Sequence, residues 1–357
     1  MSVILKKIGE FFSRMNKKTR LTLRILSFFL AVICVVLASG LLYVHSLLAN
    51  IDREHIEGMS SINVSDLMEP DIDPESNNNV SLPSADITDY QKQYEELQSL
   101  ALFHDKDIKI ILLIGSDSPS ATFSGNSDSM ILAAINEKTN KIHLISLSRT
   151  MLVNVPKYGW SPLNSAYSFG GTKLLIQTLE NNFRVQIDDY VVINFRNFEK
   201  MIDVVGGVDI ELTAAEANVI NTDCGRSYAP GVNRLDGVAA LSYSRIRKID
   251  SDFRRQERQR TVITQLINKA VHSDLGTLND LAVTVTSLIN TSMKNNELLS
   301  LALSAPSYLN STIDSSMIPS PDTRTLVYIP FAGISNFQAY EIDFYSNITT
   351  LRNIMQS

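Results

Sequence analysis

Short apolar runs alternate with segments of helical spacing over residues 107–357. The run IKIILLI at 108–114 is typical of a strand buried on both faces. The runs at 130–135 and 141–147 predict two further strands joined by a turn. Strands alternating with helices favour one layered α/β domain over separate domains. The same patterns predict strands at 189–195, 208–212, 326–331 and 340–344, and helices at 91–104, 164–183, 196–205, 253–271, 276–304 and the C-terminus.

Residues 25–48 form an apolar run without Asp, Glu, Lys or Arg. A bilayer core of about 30 Å needs about 20 apolar helical residues, so this run is long enough to span it. A signal peptide has a shorter apolar region, and the run continues past the weak cleavage signal at 38–40. We therefore expect an uncleaved anchor, with a signal peptide as the alternative. The segment 1–24 is rich in Lys and Arg, which predicts a cytoplasmic N-terminus and an extracellular remainder.

Residues 49–106 separate the predicted anchor from the α/β domain. Ten acidic residues and one basic residue lie between positions 50 and 90, together with an Asn77–Asn79 run. Such a composition indicates a solvated, partly disordered stalk, and the helix at 91–104 leads into the domain. The predicted organisation is a basic segment at 1–24, a membrane helix at 25–48, a stalk at 49–106 and an extracellular domain at 107–357.

The overall composition excludes several classes of protein. A hydrophobic content of 44% is enough to bury a large core. The pI of about 5.5 argues against a general nucleic-acid binder. The two cysteines rule out a disulfide framework, and the five histidines are scattered without metal-ligand spacing.

The loop GSDSPSATFSGNSDSM at 115–130 follows the first predicted strand of the domain. Ligands of open α/β sheets tend to bind just beyond such strand ends. Asp117 lies at the strand exit and Asp128 opens the next strand. Two carboxylates of this kind suit Mg²⁺, which takes one or two carboxylates plus waters and phosphate oxygens. The alternative is that both residues simply cap turns, which Asp favours.

The stretch SRIRKIDSDFRRQERQR at 244–260 places six Arg and one Lys in an acidic chain of net charge −6. Arg245 and Arg247 share a face if they lie on a strand, or occupy the frayed end of a helix if 235–244 is helical. Arg255 and Gln259 are four residues apart and share one face of the next helix. Arg149 follows another predicted strand.

Arginine side chains suit bidentate contacts with phosphate, and the start of the helix adds N–H donors for an anion. A solvated helix face, with Asp252 and Glu257 as charged partners, and a nucleic-acid footprint are the alternatives. Asp250, Ser251 and Asp252 are candidate caps of this helix. The predicted extracellular placement argues against nucleic acid. On this interpretation Lys248, Arg254 and Arg260 are solvated, and the role of Arg258 stays open.

Several segments together resemble the LytR-CpsA-Psr family, envelope proteins of mainly Gram-positive bacteria. The resemblance covers residues 107–275 and, more loosely, the rest of the chain. The matching segments, in family order, are ILLIGSDS, NSDSMILAAIN, KIHLISLSRT, LNSAYSFGG, IDDYVVINF, DVVGGVDIEL, RLDGVAALSYSRIRK and DFRRQERQR.

The resemblance implies a transferase that moves an anionic glycopolymer, such as teichoic acid or capsule, from undecaprenyl pyrophosphate to peptidoglycan. It also implies a central mixed sheet with helices on both sides, and a hydrophobic pocket for the polyprenyl chain. By position, Asp117 and Asp128 would bind Mg²⁺. The pyrophosphate would be bound by Arg149, Arg245, Arg247, Arg255 and Gln259, with Asp128 and the first three arginines as the catalytic set. The implied partners are the lipid-linked glycan, peptidoglycan and the membrane.

The chain departs from the family pattern at three positions. Pro119 and Asn126 stand where the family usually has Arg, and Thr150 stands where it usually has Asp. These changes motivate a second hypothesis, a non-catalytic binder of polyprenyl pyrophosphate. A transcriptional attenuator is a third, but only about 24 residues precede the predicted anchor, too few for a DNA-binding domain.

Overall fold

The computed structural model describes residues 39–40, 42–49, 51, 87–116, 127–294, 296–298, 300 and 311–357. Residues 39–40 and 42–49 are helical, and most of the predicted anchor and stalk lie outside the described residues. Within the described residues no helix combines the length and apolar character needed to cross a bilayer. Ile51–Ser357 forms one compact unit, separate from Met1–Asn50.

A six-stranded mixed sheet lies at the centre of the larger unit. The strands are β1 (Ile108–Ser116), β2 (Ser127–Asn136), β3 (Lys141–Leu147), β4 (Leu152–Val155), β5 (Gly159–Pro162), β6 (Asp189–Asn194), β7 (Val208–Leu212), β8 (Gly231–Leu235), β9 (Asn290–Thr291), β10 (Thr312–Ile318), β11 (Arg324–Phe331) and β12 (Ile334–Ile342). The order in the central sheet is β10-β3-β2-β1-β6-β9. β1 and β6 are parallel, as are β3 and β10, and the other neighbours are antiparallel.

Helices cover both faces of this sheet, as the resemblance implies. Along β1, Leu112 belongs to one apolar cluster and Ile111 to another, because successive side chains of a strand point to opposite faces. The helices are α1 (Ile87–Leu97), α2 (Leu163–Phe183), α3 (Phe195–Val204), α4 (Ala214–Cys224), α5 (Gly237–Ser244), α6 (Asp252–Val271), α7 (Leu275–Leu288) and α8 (Phe344–Gln356). α2 and α8 pack in the first cluster and α6 in the second.

A smaller lobe, formed by α3, β7, α4, β8 and α5, has its own apolar cluster. Val262 and Leu266 of α6 pack into this lobe, while Ile263 of the same helix packs against the sheet. α6 therefore connects the lobe to the sheet. Its first turn, and the loop 245–251 before it, lie between the two.

Most predicted elements are confirmed, with changes at their ends. The helix predicted at 91–104 is Ile87–Leu97, and Phe103 instead forms a strand-like bridge with Val185. The helix predicted at 164–183 is present with a kink at Gly170 and Gly171, where a φ of 63° at Gly171 favours glycine. The helix predicted at 276–304 is interrupted after Leu288, where β9 follows and pairs with β6. Residues 296–298 and 300 are helical again, and 301–304 lie outside the described residues.

Candidate anion-binding site

Three segments that carry candidate site residues meet at the start of β2 and beyond the end of β3. Nη1 of Arg149 lies 3.9 Å from Oδ1 of Asp128. Nη2 of Arg247 lies 3.6 Å from the same oxygen. Two guanidinium groups from distant parts of the chain therefore face one carboxylate, which has 19% of its side chain exposed. The structure brings Arg149, Arg247 and Asp128 together, and their roles in binding stay predictions.

The backbone explains how Asp128 and Arg149 reach this place. Ser116 pairs with Ser127 and Gly115 pairs with Ser129, so Asp128 is the extra residue of a β-bulge in β2. A bulge re-aims a side chain that would otherwise follow the alternation of its strand. Arg149 follows β3, and its carbonyl oxygen accepts a hydrogen bond of 3.0 Å from the backbone N–H of Asn164. The start of α2 thereby fixes the end of β3.

Asp252, the first residue of α6, is also a member of the site, although its place at a helix start predicts a cap or a solvated partner. The cap is Ser251, whose side chain accepts from the backbone N–H of Arg254. The Asp252 carboxylate is buried and pairs with Nη2 of Arg255. Its Oδ1 also lies 3.6 Å from Nε of Arg149, and Oδ2 accepts a bond of 3.1 Å from Nε2 of Gln256.

The electrostatics of this buried cluster follow from its geometry. Burial raises the pKa of Asp252, but Arg255, Arg149, the Gln256 hydrogen bond and Arg247 together lower it below its ordinary value. Burial lowers the pKa of Arg255 to about 10, and the neighbouring Arg149 and Arg247 act in the same direction, against Asp252. Asp252 is therefore ionised and Arg255 remains a cation at neutral pH.

Arg255 keeps hydrogen-bonding capacity for a ligand. Among the described residues, its Nε and Nη1 atoms have no hydrogen-bond partner although both are buried. Leaving buried polar donors unpaired costs free energy, and such groups at a site are explained by a ligand or ordered water. A charge-rich anion that accepts from Arg255 would satisfy these donors.

Two other predicted ligands of the anion are placed at the end of α5 and one turn along α6. Arg245 is exposed at the end of α5, and its guanidinium lies 4.7 Å from the centroid of the Phe195 ring. The helical alternative for 235–244 is thus confirmed, with Asp236 as the cap. Gln259 is half-buried, one turn beyond Arg255 on α6.

The remaining basic residues of the stretch divide differently from the prediction. Lys248 and Arg254 are exposed, as predicted. The prediction for Arg260 is wrong: it is 4% exposed, because α6 lies against the sheet and Nε of Arg260 donates to Oγ of Ser315 on β10. Burial lowers the pKa of Arg260 to about 10. Arg258 is also buried, bonded to Glu216 and Asp250.

The described residues supply one of the two predicted metal ligands. Asp128 is in place, while Asp117, Pro119 and Asn126 lie outside the described residues. The described part of the chain contains no group of three His, Cys, Asp or Glu side chains suited to a metal ion. One partly exposed carboxylate beside an anion site still fits Mg²⁺, which takes most of its ligands from water and phosphate. Thr150 is buried, and its carbonyl oxygen accepts from the backbone N–H of Tyr340.

Known proteins resemble this chain in sequence. It is 38% identical over 190 residues to polyisoprenyl-teichoic acid–peptidoglycan teichoic acid transferase TagU of Oceanobacillus iheyensis. The matched region covers 51% of this chain and 56% of that protein. The protein of the same name from Enterococcus faecalis is 31% identical over 222 residues, covering 59% of the chain and 72% of the relative. With the first of these the chain matches little more than half of the relative's length.

Solved structures share the fold. The structure described as TagT bound to LIIa-WTA superposes with a TM-score of 0.58 at 23% identity, covering 72% of this chain and 100% of that one. Protein gbs0355 of Streptococcus agalactiae gives a TM-score of 0.61 at 24% identity, covering 77% of this chain and 90% of that one. At these identities the likeness concerns the fold alone. A model of the LytR_cpsA_psr family matches residues 76–345, and the chain belongs to this family.

Proposed function

We propose that this protein is a membrane-anchored phosphotransferase that moves an anionic glycopolymer from a polyprenyl pyrophosphate carrier to peptidoglycan. The observation that carries the proposal is the buried Asp252–Arg255 pair, with Arg149 beside it. Two donors of Arg255 have no partner among the described residues, and they suit the oxygens of a diphosphate. The relatives named as teichoic acid transferases support the same chemistry. The carrier, the anchor and the extracellular location rest on the sequence and on the resemblance.

The proposed reaction is a substitution at phosphorus. A hydroxyl oxygen of the peptidoglycan acceptor attacks the phosphorus that carries the glycan, the bond from that phosphorus to the bridging oxygen breaks, and polyprenyl phosphate leaves. The hydroxyl proton passes to water as the new phosphodiester forms. Phosphoryl transfer depends mostly on positioning and on neutralising charge on the phosphate oxygens. Arg149, Arg247 and Arg255 would supply that neutralisation.

Asp128 would hold Mg²⁺ at the edge of the same site. When bound, the ion supplies further neutralisation of phosphate charge. Asp128 itself orients Arg149 and Arg247, since both guanidinium groups lie within 4 Å of its Oδ1. Lysine would not replace these arginines, because an ammonium lacks the planar fork that binds two phosphate oxygens at once.

The membrane segment serves the same reaction. A lipid-linked donor diffuses in two dimensions, and tethering the domain to the same bilayer raises the effective concentration of donor. The positive charge before residue 25 supports an orientation with the domain outside the cell. Protease added to intact protoplasts would then remove the domain, and protection of the domain would contradict this orientation.

Transfer is tested with the full chain in mild detergent, a labelled polyprenyl-pyrophosphate-linked glycan, peptidoglycan and Mg²⁺. We expect label in the peptidoglycan and release of polyprenyl phosphate. Arg255→Lys should lose this activity, whereas Arg254→Lys, the same change at the exposed neighbouring position, should keep it.

A second function is favoured by Thr150, which stands where the family usually has an acid. On this alternative the protein binds polyprenyl pyrophosphate without turnover. Donor binding that is lost in Arg255→Lys, without any transfer to peptidoglycan under conditions where a relative is active, would support the alternative and contradict the transferase.

A further inference from the structure

Arg258 lies inside the protein where α4, α6 and the loop 245–251 meet. Its Nε donates a 2.7 Å hydrogen bond to Oε1 of Glu216 at the start of α4. Its Nη1 donates to the carbonyl oxygen of Ile246 at 3.2 Å and to Oδ1 of Asp250 at 3.0 Å. Its Nη2 donates to the other oxygen of Asp250. One guanidinium group thus connects the small lobe to both ends of the loop.

The two partners of Arg258 in the loop flank Arg247. Ile246 precedes Arg247 directly, and Asp250 follows it by three residues. Arg247 in turn lies 3.6 Å from Asp128, with 25% of its side chain exposed. Fixing the chain on both sides of Arg247 restricts the positions that its guanidinium can take. An arginine that is already ordered loses less conformational entropy when it binds an anion.

The far end of this connection is itself fixed. Oε2 of Glu216 accepts 2.9 Å bonds from the backbone N–H and from the hydroxyl group of Thr213, which completes a capping box at the start of α4. Oε1 is then available to Arg258. The ring of Tyr243 lies 6.0 Å from the guanidinium of Arg258 and covers it. Arg258 is therefore held by α4, which supplies none of the residues proposed to bind the anion.

We propose that Arg258 is a positioning residue that holds the loop 245–251 so that Arg247 is presented to the diphosphate of the donor. This inference rests on the proposed function, since it assigns Arg247 to that ligand. Arg258 touches no substrate and acts through Arg247. Only arginine can make these bonds at once, because a lysine ammonium at the same place reaches one or two of the three partners.

The first test measures the loop without any ligand. Amide hydrogen exchange over 245–251 is compared in the full chain, in Arg258→Lys and in Arg254→Lys, the same change at an exposed position of α6. We expect faster exchange of the loop in Arg258→Lys alone. If Arg258→Lys does not fold, Asp250→Asn removes the charge on the loop side and should give the same result. Unchanged exchange of the loop in a folded variant overturns the proposal.

The second test measures coupling to Arg247. The Kd for farnesyl pyrophosphate should rise about tenfold in Asp250→Asn, the scale of one charge-assisted contact. In an Arg247→Ala background the same change should have no further effect, because Arg258 acts through Arg247. Equal effects in both backgrounds would mean an independent structural role and would overturn the proposal. If the wild type does not bind this ligand while loop exchange still accelerates, the proposed donor is wrong and the anchoring of Arg247 stands.

Discussion

Asp252 and Arg255 form an ion pair inside the protein, three residues apart on α6, with side-chain exposures of 4% and 2%. The same carboxylate oxygen lies 3.6 Å from Nε of Arg149, which arrives from the end of β3. A single buried carboxylate thus compensates two buried cations. Because each arginine is desolvated, its charge is available to an anion without first displacing a full hydration shell.

We expect Asp252→Asn to destabilise the protein by about 3 to 5 kcal/mol, because it leaves buried guanidinium groups without their carboxylate. An anion should then offset more of that loss, so inorganic pyrophosphate should raise Tm more in the variant than in the wild type. Thermal unfolding with and without pyrophosphate measures both effects. Glu257→Gln removes an exposed carboxylate from the same helix and should behave as wild type. An equal rise in Tm in Asp252→Asn and wild type would contradict this role.

Arg245 and Arg247, which follow α5, should contribute differently to the rate of glycan transfer. Arg247→Ala removes the group beside Asp128, and we expect transfer to slow by about 100-fold to 1000-fold, the scale of one lost oxyanion donor. Arg245 is exposed over Phe195, so Arg245→Ala should have a smaller effect. Initial rates of glycan transfer at saturating donor measure the difference. A larger loss in Arg245→Ala would mean that the loop moves Arg245 to the phosphate when substrate binds.

The sequence predicted the elements that have strong local patterns. β1 and β3 are rich in apolar residues, β7 alternates apolar and acidic residues, and α6 begins at an acidic, Ser-containing cap. It missed α4, although the Thr213–Glu216 capping box is a local signal. It also missed strands with weaker patterns: β4 and β5 are four residues each, and the Ser-rich β10 is placed by its pairing with β3. Such strands form because a neighbour is present, which the local sequence does not encode.

For the candidate site, too, the sequence indicated some of the residues that lie together and missed others. Arg149, Arg247 and Asp128 meet as expected from their places at strand and helix ends. Asp252 was missed because an aspartate at a helix start usually caps it, and only the arrival of Arg149 makes it a buried counter-ion. Arg260 was assigned to solvent for its charge, yet the packing of α6 on β10 buries it. Both errors concern contacts between residues far apart in sequence.

Gly237 should tolerate no side chain, because α5 passes very close to α3. A Cβ at this position would overlap the backbone carbonyl of Glu199, which cannot move aside as a flexible side chain can. We expect Gly237→Ala to cost about 3 kcal/mol or more in the free energy of unfolding, as overpacking does. Gly276→Ala, in the first turn of α7, meets only the Asp274 side chain and should be nearly neutral. Urea unfolding of both variants measures the difference.

Glu216 should make the free energy of unfolding depend on pH in the acidic range. Burial raises its pKa, but the bonds from Arg258 and Thr213 lower it below its ordinary value of 4.5. A carboxyl group with a lowered folded pKa stabilises the protein above its unfolded pKa, and this contribution disappears as pH falls through the folded pKa. The charged groups around Glu216 are Arg258, Asp250 and Glu257, and the hydroxyl group of Tyr243 also lies nearby.

The free energy of unfolding of Glu216→Gln should therefore fall less than that of wild type between pH 6 and acid below about pH 4.5. Glu341→Gln is the control of opposite sign, because burial raises the pKa of Glu341 and its charge opposes folding at neutral pH. That variant should lose more stability on acidification than wild type. Parallel curves for Glu216→Gln and wild type would show that Glu216 has the same pKa in both states.

Arg258 and Arg260 lie two residues apart on α6, both buried, yet their replacement by methionine should have opposite outcomes. Arg258→Met leaves the buried carboxylate of Glu216 and the partly exposed carboxylate of Asp250 without their cation, which should cost about 3 to 5 kcal/mol. Among the described residues no carboxylate forms a salt bridge with Arg260, and its Nη1 has no hydrogen-bond partner. Replacing such a cation with an apolar side chain of similar length removes a desolvation cost.

We therefore expect Arg260→Met to be neutral or to stabilise the protein by about 1 kcal/mol. Urea unfolding near neutral pH gives both values, and Arg254→Met, exposed on the same helix, controls for the change in helix propensity. The contrast tests whether the bonds of Arg258 or its burial alone determine its contribution to stability. If Arg260→Met destabilised the protein as strongly as Arg258→Met, burial of the stem would dominate for both. The bonds of Arg258 to Glu216 and Asp250 would then contribute little net free energy.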